Sequence, residues 1–234
     1  MLEVKNLYYT YSDNHEALKN VSFAINDGEK IALVGANGSG KSTLLLHLAG
    51  AVEVQRGKIF INGDSKIETL RKKVGLIFQD SDNQLLMPSV IEDVAFNLVA
   101  NGVKANKAHE LAEKILNSLG VSHLASRPPH KLSGGEKKII TIAGTIISQP
   151  EILALDEPTS GLDPKARRRV INFLRGYDKT ILLATHDLDM ALDICSRAII
   201  LYNGEIVITG ALPELFTNQQ ILERYGLELP LRYS

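Results

Sequence analysis

Gly35-Ala36-Asn37-Gly38-Ser39-Gly40-Lys41-Ser42-Thr43 is the stretch on which the reading of this chain turns. An apolar run, Lys30-Ile31-Ala32-Leu33-Val34, precedes it and reads as a buried strand. Leu44-Leu45-Leu46-His47-Leu48-Ala49 follows and reads as a helix. The pattern G-x-x-x-x-G-K-[ST] therefore stands in the strand–loop–helix context that a phosphate-binding loop needs. Glycines let the main chain wrap closely around a polyphosphate, with successive N–H groups aimed at its oxygens. The positive end of the following helix adds to that attraction. Lys41 is expected to reach the β- and γ-phosphates as a point charge, and the Ser42 hydroxyl to hold Mg²⁺.

Composition narrows the class. At 234 residues the chain fits one large domain, or one core with a subdomain. Hydrophobic residues make up 44% and charged residues 23%, with a net charge of −1. That is an ordinary globular balance, and it offers no basic field for nucleic acid. Cys195 is the one cysteine, so there is no disulfide framework and a reducing compartment is expected. It is expected on a helix as a structural thiol. Met1-Leu2-Glu3-Val4-Lys5 lacks the form of a signal peptide. No run approaches the ~18 consecutive apolar residues of a membrane span, so any membrane role is expected to come through a partner.

Residues 2–9 and 21–25 alternate as half-buried strands do, with Asn26-Asp27-Gly28 as a tight turn after them. Tyr8-Tyr9-Thr10-Tyr11 lies between. One of these tyrosines stacks on a base or simply covers a sheet edge, and the residues alone leave both open. Short strands are expected at 57–63 and 74–78. From 80 to 149 the texture becomes helical: Leu111, Ile115, Leu116 and Leu119 share a helical face, Gly120 closes it, and Glu136 to Ser148 is a second helix. Strands resume at 151–156 and 180–184, followed by a hairpin of 198–202 with 205–209 about Asn203-Gly204. Pro213 to Tyr225 reads as helical. The α/β core is thus expected at about 1–79 and 150–234, with 80–149 inserted.

A strand ending in Asp156-Glu157 is the expected partner of such a loop. The first carboxylate can hold Mg²⁺ through water, and the second can act on the attacking water. Leu132-Ser133-Gly134-Gly135-Glu136 opens a helix with bare amides, which suits either an anion or an ordinary capped start.

The loop, Leu132-Ser133-Gly134-Gly135, Asp156-Glu157, Ser160-Gly161-Leu162-Asp163 and Thr185-His186-Asp187 occur in the order and spacing of the ATP-binding-cassette ATPases. The chain resembles that family from Tyr11 to past residue 200. The resemblance implies an α/β P-loop NTPase core with an N-terminal antiparallel β-subdomain and an inserted helical subdomain. It implies ATP and Mg²⁺ as cofactors and ATP hydrolysis as the reaction. Tyr11 is then the adenine-stacking residue, with Asn37, Gly38, Ser39, Gly40, Lys41, Ser42 and Thr43 around the phosphates. Gln79 contacts Mg²⁺ and the attacking water beside Ser42 and Asp156. Ser133 and Gly135 clasp a γ-phosphate bound to a second subunit, Asp163 crosses that interface, and His186 holds the γ-phosphate against Glu157. Histidines 15, 47, 109, 123 and 130 match no motif and are expected to be structural or at the surface. Two departures stand out: Glu136 where glutamine is commoner, and Ile139 where many members carry arginine.

Phe78-Gln79-Asp80-Ser81-Asp82-Asn83-Gln84-Leu85 with Ile91-Glu92-Asp93-Val94-Ala95-Phe96 is similar to the ATPases of energy-coupling-factor and cobalt/nickel importers. The partners this implies are a second ATPase subunit, identical or paralogous, and an integral-membrane subunit, with no nucleic acid. The location implied is peripheral, on the cytoplasmic face of the cell membrane. Leu85-Leu86-Met87-Pro88 is an apolar patch that either tucks into the helical subdomain as core or lines a groove for a membrane-subunit helix. One P-loop argues against a translation-associated cassette protein. The separation of Lys41 from Asp156 leaves no room for the long coiled coil of a chromosome ATPase.

Overall fold

A computed structural model describes residues 1–80 and 84–233. Ser81-Asp82-Asn83, in the segment similar to importer ATPases, lies outside the described residues. The chain divides into two compact units. The first comprises Met1–Leu76, Glu151–Glu157 and Tyr177–Ser234; the second comprises Ile77–Pro150 and Pro158–Gly176. The segment 80–149 falls in the second unit, which also takes Pro158–Gly176, a stretch expected in the core.

In chain order the first part runs β1 (Leu2–Thr10), β2 (Glu16–Ile25), β3 (Lys30–Val34), α1 (Lys41–Leu48), β4 (Arg56–Ile61), α2 (Ile67–Lys73) and β5 (Val74–Ile77). Helices α3 (Val90–Ala100), α4 (Ala105–Ser118) and α5 (Gly134–Ile146) follow. Then come β6 (Ile152–Asp156), α6 (Pro164–Gly176), β7 (Thr180–Thr185), α7 (Leu188–Ile194), β8 (Arg197–Tyr202), β9 (Glu205–Ala211), α8 (Leu212–Phe216) and α9 (Gln219–Arg224). The helical tail is therefore two short helices, broken where Thr217 and Asn218 intervene. Cys195 lies just past α7 rather than on a helix. Burial pushes its thiol up to about 12, so it stays protonated and inert at neutral pH.

The first unit holds two sheets. Strands β2-β1-β4 form an antiparallel sheet. A six-stranded sheet has the order β5-β6-β7-β3-β8-β9. Its middle strands run parallel, β6 with β7, β7 with β3 and β3 with β8, and the β8–β9 hairpin at one edge is antiparallel. Every residue of β6 and β7 is buried, as expected for parallel strands covered on both faces. The aliphatic core joins Ile31, Leu33, Leu44, Leu48, Ile152 and Leu182 with Leu2, Leu18 and Ile61 of the antiparallel sheet. A second cluster around Phe216 gathers Val34, Leu188, Ile200, Leu212 and Leu222.

Register places the site. Val34 lies opposite Thr185, and Asp156 opposite Ala184, so β3, β7 and β6 end at one level. Ligands of open parallel sheets bind outside these carboxyl ends, where the strand order turns back on itself. In the second unit, α3 packs on α4 and α5, and α5 packs on α6. Ala108, Ala112 and Leu116 form the buried stripe of α4, at the four-residue spacing of one helix face.

One contact tests how the antiparallel sheet closes. Gly57 on β4 has φ +102°, and a Cβ there would lie 2.3 Å from the Asn6 carbonyl oxygen and 2.6 Å from that of Lys5. Gly63 also has positive φ, +82°, with nothing within 4 Å of a Cβ. Gly57→Ala is expected to destabilise by more than about 2 kcal/mol, the left-handed penalty plus overlap with β1. Gly63→Ala should cost only about 1 kcal/mol. Urea unfolding checks both; equal losses would mean that strand approach is not what requires Gly57.

Candidate nucleotide site

The loop from Gly35 to Gly40 joins β3 to α1. Gly40 is the N-cap of α1 with φ +105°, and a Cβ there would lie 2.6 Å from the Ala17 carbonyl oxygen. Only glycine serves there, because the chain must enter the helix through the left-handed region while touching β2. Lys41 begins α1 and is 7% exposed. Its ammonium donates to the carbonyls of Gly35 at 2.7 Å and Ala36 at 3.0 Å, within the loop. Burial draws the Lys41 pKa below the ordinary lysine range, against the opposing pull of the Glu157 and Asp156 carboxylates. Among the described residues, the buried Ser39 hydroxyl has no hydrogen-bond partner. An orphaned hydroxyl in a loop that also holds an ammonium fits a ligand rich in oxygen, as a triphosphate is.

Asp156 ends β6 at 7% exposure. Glu157 follows with φ +44°, a left-handed conformation that costs a non-glycine residue about 1–2 kcal/mol. Its N–H donates to the Ala184 carbonyl at 2.9 Å. Its carboxylate accepts three bonds: from the Thr185 hydroxyl at 2.9 Å, the His186 N–H at 2.8 Å and His186 Nδ1 at 2.6 Å. The Thr185 hydroxyl accepts in turn from the Asp187 N–H at 3.0 Å. The carboxylate is thus aimed by donors at the end of the neighbouring strand, while the His186 side chain is 65% exposed. Tyr11, 38% exposed, reaches the loop through its hydroxyl, 2.8 Å from Thr43 Oγ1. Ser42 is exposed, and with Asp156 it supplies the sparse oxygen set, one hydroxyl and one carboxylate, that suits Mg²⁺ beside phosphate oxygens.

The second unit carries the other expected residues. Ser133 caps α5 in a capping box: the Glu136 N–H donates to Ser133 Oγ, and Ser133 N–H and Oγ donate to Glu136 Oε2 at 2.8 and 2.9 Å. These bonds hold the Glu136 carboxyl below its usual range. Glutamate here does what glutamine does in the same motif. Gly135 lies against α6, where a Cβ would come 2.7 Å from that of Ala166. Asp163 accepts from the N–H groups of Lys165 and Ala166 at the start of α6. Ile139 is 3% exposed, so an apolar side chain fills this position on α5.

Two residues escape a sequence reading. Lys138 stands in the charged run Glu136-Lys137-Lys138, which by composition alone would be solvated, yet it is 2% exposed. Its ammonium donates to the carbonyls of Phe78 at 2.9 Å and Gln79 at 2.7 Å. The signal was its spacing, on one face with Gly135, Ile139 and Ile142. His47 is the other, fully buried beside the loop. The Leu85–Pro88 patch is not core throughout: Leu86 is 73% exposed. Its N–H and that of Met87 donate to the Asp93 carboxylate at 2.9 and 3.1 Å. A cavity of about 200 Å³ adjoins it, walled by Leu85, Met87, Phe96, Ile140 and Gly144.

Comparison with known proteins identifies the family. The family model described as ABC transporter matches residues 18–160. The chain is 43% identical over 235 residues to an ABC transporter ATP-binding protein of Geobacter sulfurreducens, covering 99% of this chain and 94% of that one. It is 39% identical over 239 residues to the energy-coupling factor transporter ATP-binding protein EcfA of Methanosphaera stadtmanae, covering 98% and 86%. Among solved structures it superposes on cbiO1 from Clostridium perfringens, part of the ABC transporter complex cbiONQ, with TM-score 0.83 and 34% identity over 95% of this chain and 93% of that one. The ATP-binding cassette MJ0796, in a dimeric post-hydrolysis state bound to ADP and Pi, gives TM-score 0.82 and 27% identity over 91% and 99%. The chain belongs to the ABC transporter family and is one of its ATP-hydrolysing subunits.

Proposed function

We propose that this ATPase drives an importer of the energy-coupling-factor type, for a vitamin or a transition-metal ion. It would work as a head-to-tail dimer on the cytoplasmic face of the membrane. Likeness to EcfA and to cbiO1 supports the importer class. The dimeric MJ0796 supports the assembly. Among the described residues no helix is long and apolar enough to cross a membrane, so an integral partner would supply the path.

The observation that carries the catalytic reading is the Glu157 carboxylate, fixed by three donors at the end of β7. Such a carboxylate is pre-oriented to take a proton from an attacking water. His186, already on Glu157 through Nδ1, would turn its exposed edge to the γ-phosphate. Lys41 would exchange the carbonyls of Gly35 and Ala36 for β- and γ-phosphate oxygens, and Tyr11 would stack on adenine. Asn37, Gly38, Ser39, Gly40 and Thr43 would complete the phosphate cradle. Ser42 and Asp156 would hold Mg²⁺, with Gln79 assigned to the metal and the water. Held there, the ion would supply positive charge against the charge that develops on the phosphoryl group. Ser133 and Gly135 would serve the nucleotide of the opposite subunit, the γ-phosphate displacing Glu136 from Ser133, and Asp163 would lie at that interface.

Glu157→Gln is expected to keep ATP binding and to lower turnover by about 10²–10⁴-fold, the usual worth of a positioned base. It should accumulate as an ATP-bound dimer on gel filtration. Hydrolysis at the wild-type rate would remove Glu157 from the mechanism.

The composite site has its own test. Lys41→Ala and Ser133→Phe should each be inactive, while their mixture regains activity, because one intact site can form in the mixed dimer. No recovery once subunit exchange has been demonstrated would argue for an obligate pair of different chains, or for a site within one.

The Leu86 loop is the proposed dock for the membrane subunit. A helix in an apolar groove beside a methionine is a familiar mode of recognition. Leu86→Glu should leave the circular-dichroism melt and the ATPase rate of the isolated subunit unchanged, because Leu86 is 73% exposed. It should abolish pull-down of the integral protein that co-purifies with the wild type from membranes. Full recruitment by the folded variant would place the docking surface elsewhere, and an integral partner of another transport class would refute the importer reading.

A further inference from the structure

His47 lies on α1, one turn past Thr43, and is fully buried. Its Nδ1 is 2.7 Å from the Thr43 carbonyl oxygen. A carbonyl only accepts, so Nδ1 carries the proton. Burial lowers the imidazole pKa, which keeps the ring neutral and leaves Nε2 a bare acceptor. Among the described residues, that buried Nε2 has no hydrogen-bond partner. An unpaired buried acceptor is destabilising, and a leucine or phenylalanine would fill the space without it. Something other than filling space is therefore gained by the histidine.

Its ring contacts show what. The imidazole stands edge-to-face against Tyr9, with centroids 4.5 Å apart and planes at 70°. Tyr9 stands edge-to-face against Tyr11, at 4.9 Å and 85°. The Tyr11 hydroxyl returns to Thr43 Oγ1 at 2.8 Å. The four residues form a closed circuit that meets the phosphate loop at one residue, Thr43, once through its carbonyl and once through its side chain. Edge-to-face contacts fix ring orientation as well as position.

We propose that His47 is a positioning residue for base recognition: through Tyr9 it sets the plane of the Tyr11 ring, and through Thr43 it ties that plane to the phosphate loop. The inference rests on the reading of Tyr11 as the adenine-stacking residue. It makes a demand that a packing role does not, namely that loss of His47 harms binding of the base and spares binding of the phosphates.

The test compares equilibrium binding of Mg-ATP and Mg-tripolyphosphate by calorimetry on the full chain. Tyr11→Ala should weaken ATP about five- to tenfold and leave tripolyphosphate within about twofold, the scale of one lost aromatic–base stack. His47→Leu should do the same, and the double variant should be no weaker than Tyr11→Ala alone, since the two act through one contact. His47→Phe keeps a ring against Tyr9 and loses the Thr43 bond, so its drop should be smaller and in the same direction. It carries the test by itself if His47→Leu does not fold. Equal weakening of both ligands, additivity in the double variant, or an unchanged ATP preference in the His47 variants would overturn the inference. An unchanged preference in Tyr11→Ala would instead remove the stacking reading, and the inference with it.

Discussion

A nearly buried ammonium and two nearly buried carboxylates share one end of the parallel sheet, and the rest of the nucleotide site follows from that arrangement. Charges so placed are unfavourable unless each finds partners. Lys41 finds loop carbonyls, and Glu157 finds three donors from the adjoining strand end. Neither set closes the account for the site as a whole, because the Ser39 hydroxyl stays unpaired among the described residues. A polyanion that meets Lys41 and Ser39 together would replace weak partners with strong ones. The loop is thus pre-organised for a ligand, and the cost of that organisation is carried by the folded sheet.

Strand register makes this possible. If β7 slipped by one residue against β6, every side chain on it would change face. Thr185 would then no longer donate to Glu157, and the left-handed turn at Glu157 would have no partner to justify its strain. The left-handed backbone persists because the Ala184 carbonyl and the three side-chain and main-chain donors over-determine it.

Much of this was legible in the residues. The loop, the Asp156-Glu157 strand end and the β8–β9 hairpin each carry a local signal, whether glycine spacing, an apolar run or Asn203-Gly204. What was not legible is mostly long-range. Pro158–Gly176 reads like any helix after a strand, and its grouping with the second unit depends on where α5 packs. Cys195 misled because the helical pattern of α7 ends one residue before it. Lys138 and His47 were hidden by residue type, since a lysine in a charged run and a histidine in a leucine-rich helix take their ordinary readings by default. Only their partners, the Phe78 and Gln79 carbonyls for one and Tyr9 and Thr43 for the other, reveal otherwise.

Within the second unit the same helix serves several ends. Helix α5 presents Ser133 at its start and, through Lys138, holds the main chain at Phe78 and Gln79. Asn97 of α3 donates to the Gly144 carbonyl of α5 at 3.1 Å, which ties those two helices together. Asp93, also on α3, grips the amides of Leu86 and Met87; burial holds its carboxyl above the usual range against those two bonds. The Leu86 loop is therefore tied through Asp93 to α3, and α3 through Asn97 to α5, by hydrogen bonds rather than by chain connectivity alone. Ser133, at its N-cap, and Gln79, through Lys138, are both fixed to α5. Interiors this closely packed move as bodies and do not deform continuously. The proposed docking surface, Gln79 and Ser133 are in that sense joined through α3 and α5.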